Sequence, residues 1–264
     1  MSEASTSDPP PRILVEIDAG VCTITINRPK KKNALSVSMY ERLVAAFAEA
    51  RARSDVRVIL VCGSEGVFTA GNDLADFMKR PPTSPDSPVA QFIEHLRDCE
   101  KPLVAAVCGP AIGIGVTMLG HCDFAYAGES ARLHLPFVNL ALCPEAGSSY
   151  LFPRLMGYRR ASELLLLGEP FSAQVALEVG LVNQVLADGA VLDRAREVAR
   201  SLAAKPPRAL RESKRLLRAG EKAAVTAAME AEYAIFAQSL TSPEAAEAFQ
   251  AFFQKRAPDF SKFD

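Results

Sequence analysis

Twice in its first half the chain runs an apolar strand into a glycine turn and then opens a helix. The first passage is Val58-Ile59-Leu60-Val61-Cys62-Gly63, followed by Phe68-Thr69-Ala70-Gly71-Asn72-Asp73-Leu74. The second is Leu103–Val107, followed by Cys108-Gly109-Pro110-Ala111-Ile112-Gly113-Ile114-Gly115. Strands apolar at every position are buried on both faces, which requires helices above and below them. A helical stretch from about Val89 to Cys99 and another apolar strand at Phe124–Ala127 continue the alternation. Parallel strands joined by helical crossovers, an α/β class, follow from this order.

Around these passages the pattern is simpler. Residues Ile13–Ile17 and Val21–Asn27 alternate about Asp18-Ala19-Gly20, which predicts a β-hairpin. Met39, Leu43 and Phe47 recur every fourth position on a helix ending near Arg53, with Ser38 and Glu41 spaced as a capping box. Arg80–Pro88 is a proline-rich loop, expected to be exposed beside the first glycine turn. Beyond Lys205-Pro206-Pro207 strand signals stop, and 208–254 reads as helices, the last restarted by Thr241-Ser242-Pro243-Glu244. The expected division is a polar, proline-rich disordered leader at 1–11, an α/β core at 12–205 and a helical C-terminal region at 206–264.

A formal net charge of −1 gives no bulk electrostatic case for nucleic acid or an anionic membrane. No apolar run approaches membrane-spanning length, and the N-terminus lacks the basic start and apolar core of a secretory signal. The ending Ser261-Lys262-Phe263-Asp264 is not the peroxisomal Ser-Lys-Leu address, so a cytoplasmic protein is expected. The six cysteines show no Cys-x-x-Cys spacing and sit mostly in apolar runs, as buried reduced thiols do. His121, Cys122 and Asp123 are consecutive and cannot all face one ion, so no metal site is expected.

The glycine turns carry the chemistry. A tight turn at a strand's end can expose a backbone N–H that neither a ladder nor a helix claims. Gly113-Ile114-Gly115 presents the Ile114 N–H at a helix start, where negative charge is favoured. Two such donors flanking one oxygen can stabilise an enolate or a tetrahedral oxyanion. Neither the Gly-x-x-x-x-Gly-Lys-Ser/Thr nor the Gly-x-Gly-x-x-Gly pattern of nucleotide sites is present. For either turn alone, an ordinary strand-to-helix connection with Asp73 near the helix start is a sufficient account.

The chain resembles the crotonase, or enoyl-CoA hydratase/isomerase, superfamily. The resemblance lies in Asn27–Leu35, Phe68–Leu74, Ala106–Gly115, Cys122–Ala127, Phe171–Ala176 and Ala251–Arg256, which span nearly the whole chain in order. It implies a spiral of ββα units, a C-terminal helical region that forms a homotrimer or a dimer of trimers, and acyl-CoA thioester substrates. Coenzyme A would then be part of the substrate, with no separate cofactor. It also implies that the amides of Asn72 and Ile114 form the oxyanion hole. Lys32, Ala34, Ala70, Asp73 and Leu74 would bind coenzyme A, and Phe252 and Lys255 match positions that can reach the nucleotide of a neighbouring subunit.

Family members that hydrate 2-enoyl-CoA typically use two glutamates, and Thr117 and Phe137 occupy the matching positions here. Neither side chain can do carboxylate acid/base chemistry. Glu145, in Pro144-Glu145-Ala146-Gly147-Ser148-Ser149, instead resembles the glutamate of peroxisomal-type Δ3,Δ2-enoyl-CoA isomerases, which also tend to carry Gly-Asn-Asp-Leu, as Gly71–Leu74 do. One carboxyl suffices to move a proton from C2 to C4, and an apolar wall of Phe137, Leu142 and Ala146 would raise its pKa. The plainer role for Glu145 is to cap a helix starting near Ala146. A hydratase-like activity and a noncatalytic acyl-CoA-binding paralogue are the alternatives. His134 is expected to be a core or hydrogen-bonded histidine near the pocket.

Overall fold

In the computed structural model, which describes residues 11–263, the chain opens with the hairpin β1 (Ile13–Asp18) and β2 (Val21–Ile26). Ala19 and Gly20 both take left-handed φ, +47° and +80°, which suits a two-residue turn between twisted strands. Next come α1 (Val37–Ala52), β3 (Val58–Gly63), α2 (Leu74–Lys79), α3 (Pro88–Arg97), β4 (Leu103–Val107), β5 (Pro110–Ile112) and the single turn α4 (Ile114–Thr117). The middle of the chain forms β6 (Phe124–Gly128), β7 (Arg132–His134), α5 (Ser148–Met156), α6 (Tyr158–Ser162), β8 (Phe171–Ser172), α7 (Ala173–Glu178) and β9 (Gln184–Leu186). It ends in four helices, α8 (Asp188–Ala203), α9 (Pro207–Ala219), α10 (Lys222–Ser239) and α11 (Pro243–Gln254). The expected leader lies, apart from Pro11, outside the described residues.

The main sheet has the order β1-β2-β3-β4-β6-β9, antiparallel at β1/β2 and parallel at every other pair. Its central strands are buried on both faces, as their unbroken apolar pattern requires. Ile59, Val61, Leu103 and Ala105 face a core shared with Tyr40, Leu43, Phe47 and Phe92 of α1 and α3. Val58, Leu60, Val104 and Ala106 face Val191, Ala195 and Ala199 of α8, whose alanines let helix and sheet approach closely. A smaller sheet, β5-β7-β8, begins where β4 ends at Cys108-Gly109. The α/β class is therefore as expected.

One local expectation fails. Ser38 and Glu41 form no capping box: α1 begins at Val37, whose N–H donates to Asp76 Oδ2 of α2 at 2.6 Å. The Ser38 hydroxyl pairs instead with that of Ser36 at 3.0 Å. A carboxylate brought in by tertiary packing thus does the capping that the local sequence offered to a neighbour. Ser242 does cap α11, accepting the Ala245 N–H at 3.1 Å. Among the described residues no helix is long and apolar enough to cross a membrane.

Candidate active site

Three segments lie side by side at the site: 32–35, 69–73 and 110–114. Thr69 Oγ1 donates to Asn33 O at 2.8 Å and accepts the Gly71 N–H at 3.1 Å. The Ala70 N–H goes to Lys32 O, the Leu35 N–H to Gly71 O and the Asp73 N–H to Leu35 O. On the other side the Thr69 N–H reaches Pro110 O, and the Ile112 N–H returns to Thr69 O. Buried Asn33 braces the junction, donating from Nδ2 to Val67 O at 2.6 Å and Ser64 O at 3.2 Å.

This zipper leaves two amides over. Both amides flanking Asn72 in its parallel bridge to Leu35 are engaged, so the Asn72 N–H points the other way. Gly71 sits at φ +78°, where a Cβ would lie 2.7 Å from Ile112 O; only glycine lets the segments approach this closely. In the second turn the Gly113 N–H donates to His134 O, while Val116 and Thr117 donate to Gly113 O. The Ile114 N–H opens α4. Among the described residues no acceptor takes the N–H of Asn72 or of Ile114.

Both turns border a cavity of about 620 Å³. Ala34, Ala70, Asn72, Asp73, Leu74, Glu145 and Phe252 line it, so the structure brings together seven of the residues picked from sequence. Ile114, buried as a side chain, meets it through its neighbour Gly113. Lys32 and Lys255 do not line it. Each is exposed at a left-handed helix-ending position, φ +49° and +54°, and the cavity's cations are their neighbours Lys31 and Arg256. Phe252 lines the cavity of its own chain, because α11 folds back over the site.

Asp73 orders the turn. It caps α2, accepting the Asp76 N–H at 3.3 Å, and pairs with Arg28 Nη1 at 2.7 Å. Burial disfavours its charge, but Arg28 and the Asp76 amide outweigh that and hold its carboxyl below the usual range. Arg28 also donates to Ala34 O at 3.0 Å, so one guanidinium ties two cavity walls. Fully buried Tyr40 donates its hydroxyl to Asn72 Oδ1, fixing that side chain.

Glu145 is buried, with Oε1 unpartnered among the described residues. It does not cap a helix. Helix α5 starts at Ser148, and the amides there, Gly147 and Ser149, donate to Glu232 of α10 at 2.6 and 2.8 Å. Burial among Phe137, Leu142, Ala146 and Phe236, reinforced by the nearby Glu232 charge, pushes the Glu145 carboxyl up to about 8. The His121 ring meets Ala146 O at 2.7 Å; burial holds it neutral, with its pKa down to about 4.

Of the two residues that the resemblance matches to hydratase glutamates, Thr117 is fully buried and Phe137 forms part of the cavity wall. His134 is hydrogen-bonded, as expected, to Gly168 O at 2.8 Å, although it also lines the cavity. Sequence reading missed Glu232, yet a signal was there. Val225, Met229, Glu232 and Phe236 form one buried helical stripe, and a carboxylate on such a stripe needs a partner. Tyr40 and Arg28 gave no comparable signal, since their side-chain partners Asn72 and Asp73 lie more than thirty residues away.

Residues 16–262 match the enoyl-CoA hydratase/isomerase family. The chain is 35% identical over 250 residues to enoyl-CoA delta isomerase 2 of Rattus norvegicus, covering 92% of this chain but only 64% of the rat protein. The chain thus spans less than two thirds of that relative's length. It is 32% identical to 2,3-dehydroadipyl-CoA hydratase of Escherichia coli, covering 94% of this chain and 98% of that protein. Among solved structures, an enoyl-CoA hydratase/isomerase from Pseudoalteromonas atlantica superposes with a TM-score of 0.90 at 40% identity, covering 95% of this chain and all of the other.

Proposed function

The chain belongs to the enoyl-CoA hydratase/isomerase family, and we propose that within it the protein is a Δ3,Δ2-enoyl-CoA isomerase. One observation carries the reading: Glu145 is the buried carboxyl on the cavity shared with the two free amides. The resemblance, which matches Thr117 and Phe137 to the two acids of a hydrating enzyme, supports it. A 3-enoyl thioester places its carbonyl oxygen between the Asn72 and Ile114 amides. Ionised Glu145 removes a C2 proton, the electron pair moves into a dienolate held by those amides, and the new carboxylic acid returns the proton to C4. The double bond ends between C2 and C3, and the enzyme is restored without added water, metal or redox reagent. A carboxyl raised toward neutrality suits both halves, since it is a stronger base than an ordinary glutamate and still an acid near pH 7.

The cavity walls support a coenzyme A ester. Lys31 and Arg256 supply cations for phosphate, and Phe252 offers a ring for an adenine. In this reading the protein works as a homotrimer or a dimer of trimers. Exposed Leu216 and Leu217 of α9 are consistent with a buried face there, and sedimentation measures the assembly directly. The functional test is conversion of 3-enoyl-CoA to trans-2-enoyl-CoA, abolished in Glu145→Gln with coenzyme A ester binding retained. Formation of 3-hydroxyacyl-CoA from 2-enoyl-CoA as the main activity would give the reaction to hydration, and binding without turnover would leave a noncatalytic paralogue.

A further inference from the structure

We propose that Glu232 is the positioning residue of the base. Reaching from α10, its carboxylate fastens the 145–149 turn through the Gly147 and Ser149 amides and so holds Glu145 against the cavity. The inference rests on the acid/base reading of Glu145 and adds a residue that the reading does not require.

Within the turn the Ser148 N–H and hydroxyl donate to Glu145 O at 3.1 and 2.6 Å, which closes the backbone but leaves the carboxyl unheld. Ala146 and Gly147 both take left-handed φ, +59° and +71°, and the Glu145 side chain makes no hydrogen bond among the described residues. What ties this closed turn to another helix is a carboxylate from outside it. Glu232 Oε2 accepts the Gly147 N–H at 2.6 Å and Oε1 accepts the Ser149 N–H at 2.8 Å, one oxygen to each amide. Hydrogen bonds to an ionised acceptor are about twice as strong as neutral ones. A further side-chain contact from outside, His121 to Ala146 O, comes from a neutral ring. The location of Glu232 is costly unless it has such work, because Val225, Met229 and Phe236 make the rest of its stripe apolar.

The same carboxylate decides which of two neighbouring buried acids carries the proton. Burial raises the Glu232 carboxyl above its usual range, but its two N–H donors work against that and favour its ionised form, whereas Glu145 has an unpartnered oxygen and no donor. Two other titratable groups near Glu145, the Tyr40 hydroxyl and the Cys143 thiol, carry no charge at neutral pH. Tyr40 of α1 is pushed well above its usual range by burial, and burial pushes the Cys143 thiol up to about 11. Glu94 and Arg97 of α3 and Glu230 of α10 line the second, smaller cavity that Glu145 and Glu232 share. Glu94 and Glu230 carry the same sign as Glu232 and Arg97 the opposite, but none of the three bonds to the 145–149 turn.

The test uses the full chain as Glu232→Gln and Glu232→Asp, with two readouts. One is the pH profile of kcat/KM for a 3-enoyl-CoA. The other is an infrared titration of the protonated Glu145 carboxyl, assigned by its loss in Glu145→Gln, which needs no turnover. Glu232→Gln is expected to move both midpoints down by about one pH unit. It should also lower plateau kcat about 10- to 100-fold, as small misplacements of a base do. Glu232→Asp keeps the charge with a shorter reach, so its midpoints stay within a few tenths of a unit while kcat falls and KM holds. Should the Gln variant fail to fold, the Asp variant still decides. An unmoved midpoint in Glu232→Gln, or wild-type turnover in Glu232→Asp, overturns the proposal. A wild-type protein that does not isomerise 3-enoyl-CoA sinks the activity reading instead, and the infrared midpoints then judge Glu232 alone.

Discussion

Arg28 Nη1 lies 2.7 Å from Asp73 Oδ2, and the same nitrogen donates to Ala34 O, so a single side chain bridges the two segments that wall the mouth of the cavity. Both partners are largely buried, with 18% of each side chain exposed, which places the pair above a typical surface bridge. Asp73→Asn keeps a good helix cap but loses the ion pair. The expected result is a loss of about 1–2 kcal/mol of stability, with KM for the thioester raised several-fold and kcat little changed. The Asp73 carboxyl is held below its ordinary range, so the pair's contribution is full above about pH 4 and is lost as pH falls through the folded-state value. Urea titrations of both proteins between pH 3 and pH 7 check this; parallel curves would remove the ion pair from the account.

Glu145 has the opposite sign. Its folded-state pKa of about 8 lies above that of an unfolded glutamate, so between about pH 4 and pH 8 the folded chain holds the extra proton. Stability contributed by this group therefore falls as pH rises through that window, by on the order of a few kcal/mol in all. Glu145→Gln removes the titration. Its melting temperature relative to wild type should climb steadily from pH 5 to pH 8, even as activity disappears. A difference that does not change with pH contradicts the buried acid. The residue proposed to do the chemistry thus also costs the fold stability.

How far the sequence discloses this site depends on the range of the interactions. The strands at 58–63 and 103–107 and the glycine turns after them were legible because apolar runs and glycines act locally. The role proposed for the turns comes from resemblance, since nothing local tells Gly71 from an ordinary turn glycine. What stayed hidden is contact between distant segments. Asp76 capping α1, Tyr40 bonding Asn72 and Glu232 bonding Gly147 and Ser149 join residues 32 to 85 positions apart. Lys32 and Lys255 fall just outside the cavity lining for a different reason: each sits at a left-handed helix end, where one residue's displacement exchanges cavity for solvent.

Gly71 and Gly66 separate strain from contact. Both have left-handed φ, +78° and +70°, but a Cβ at Gly71 meets the Ile112 carbonyl at 2.7 Å whereas one at Gly66 meets nothing within 4 Å. Gly66→Ala should therefore lose about 1 kcal/mol of stability from backbone strain alone, with kcat unchanged. Gly71→Ala must push the 69–73 segment away from β5 and with it the Asn72 amide. Its kcat should fall about 100-fold or more, the usual size for a lost oxyanion donor. Steady-state kinetics on both variants, with circular dichroism to confirm the fold, make the comparison. Equal kcat in the two proteins would show that the Asn72 amide does not depend on this approach.

The C-terminal segment is clasped over the cavity by one carboxylate. Glu247 Oε1 accepts Arg256 Nη1 at 2.6 Å and the Asp259 N–H at 2.9 Å, and Oε2 faces Arg256 Nη2 at 3.1 Å and Lys262 Nζ at 3.4 Å. Arg256, followed by the Asp259 amide, holds the Glu247 carboxyl down at about 2. Because this is below the unfolded value, the clasp contributes fully above about pH 4 and is lost as pH falls through about 2. Phe252, Arg256 and Pro258 all line the cavity, so loosening the clasp should act on binding before it acts on chemistry. Glu247→Gln is expected to speed amide exchange across residues 255–263 at pH 7 and to raise KM several-fold with kcat held. In wild type the same exchange pattern should emerge only on acidification toward pH 2. If the variant's exchange in this segment matches wild type at pH 7, the segment is held by its apolar contacts and the charge cluster is incidental.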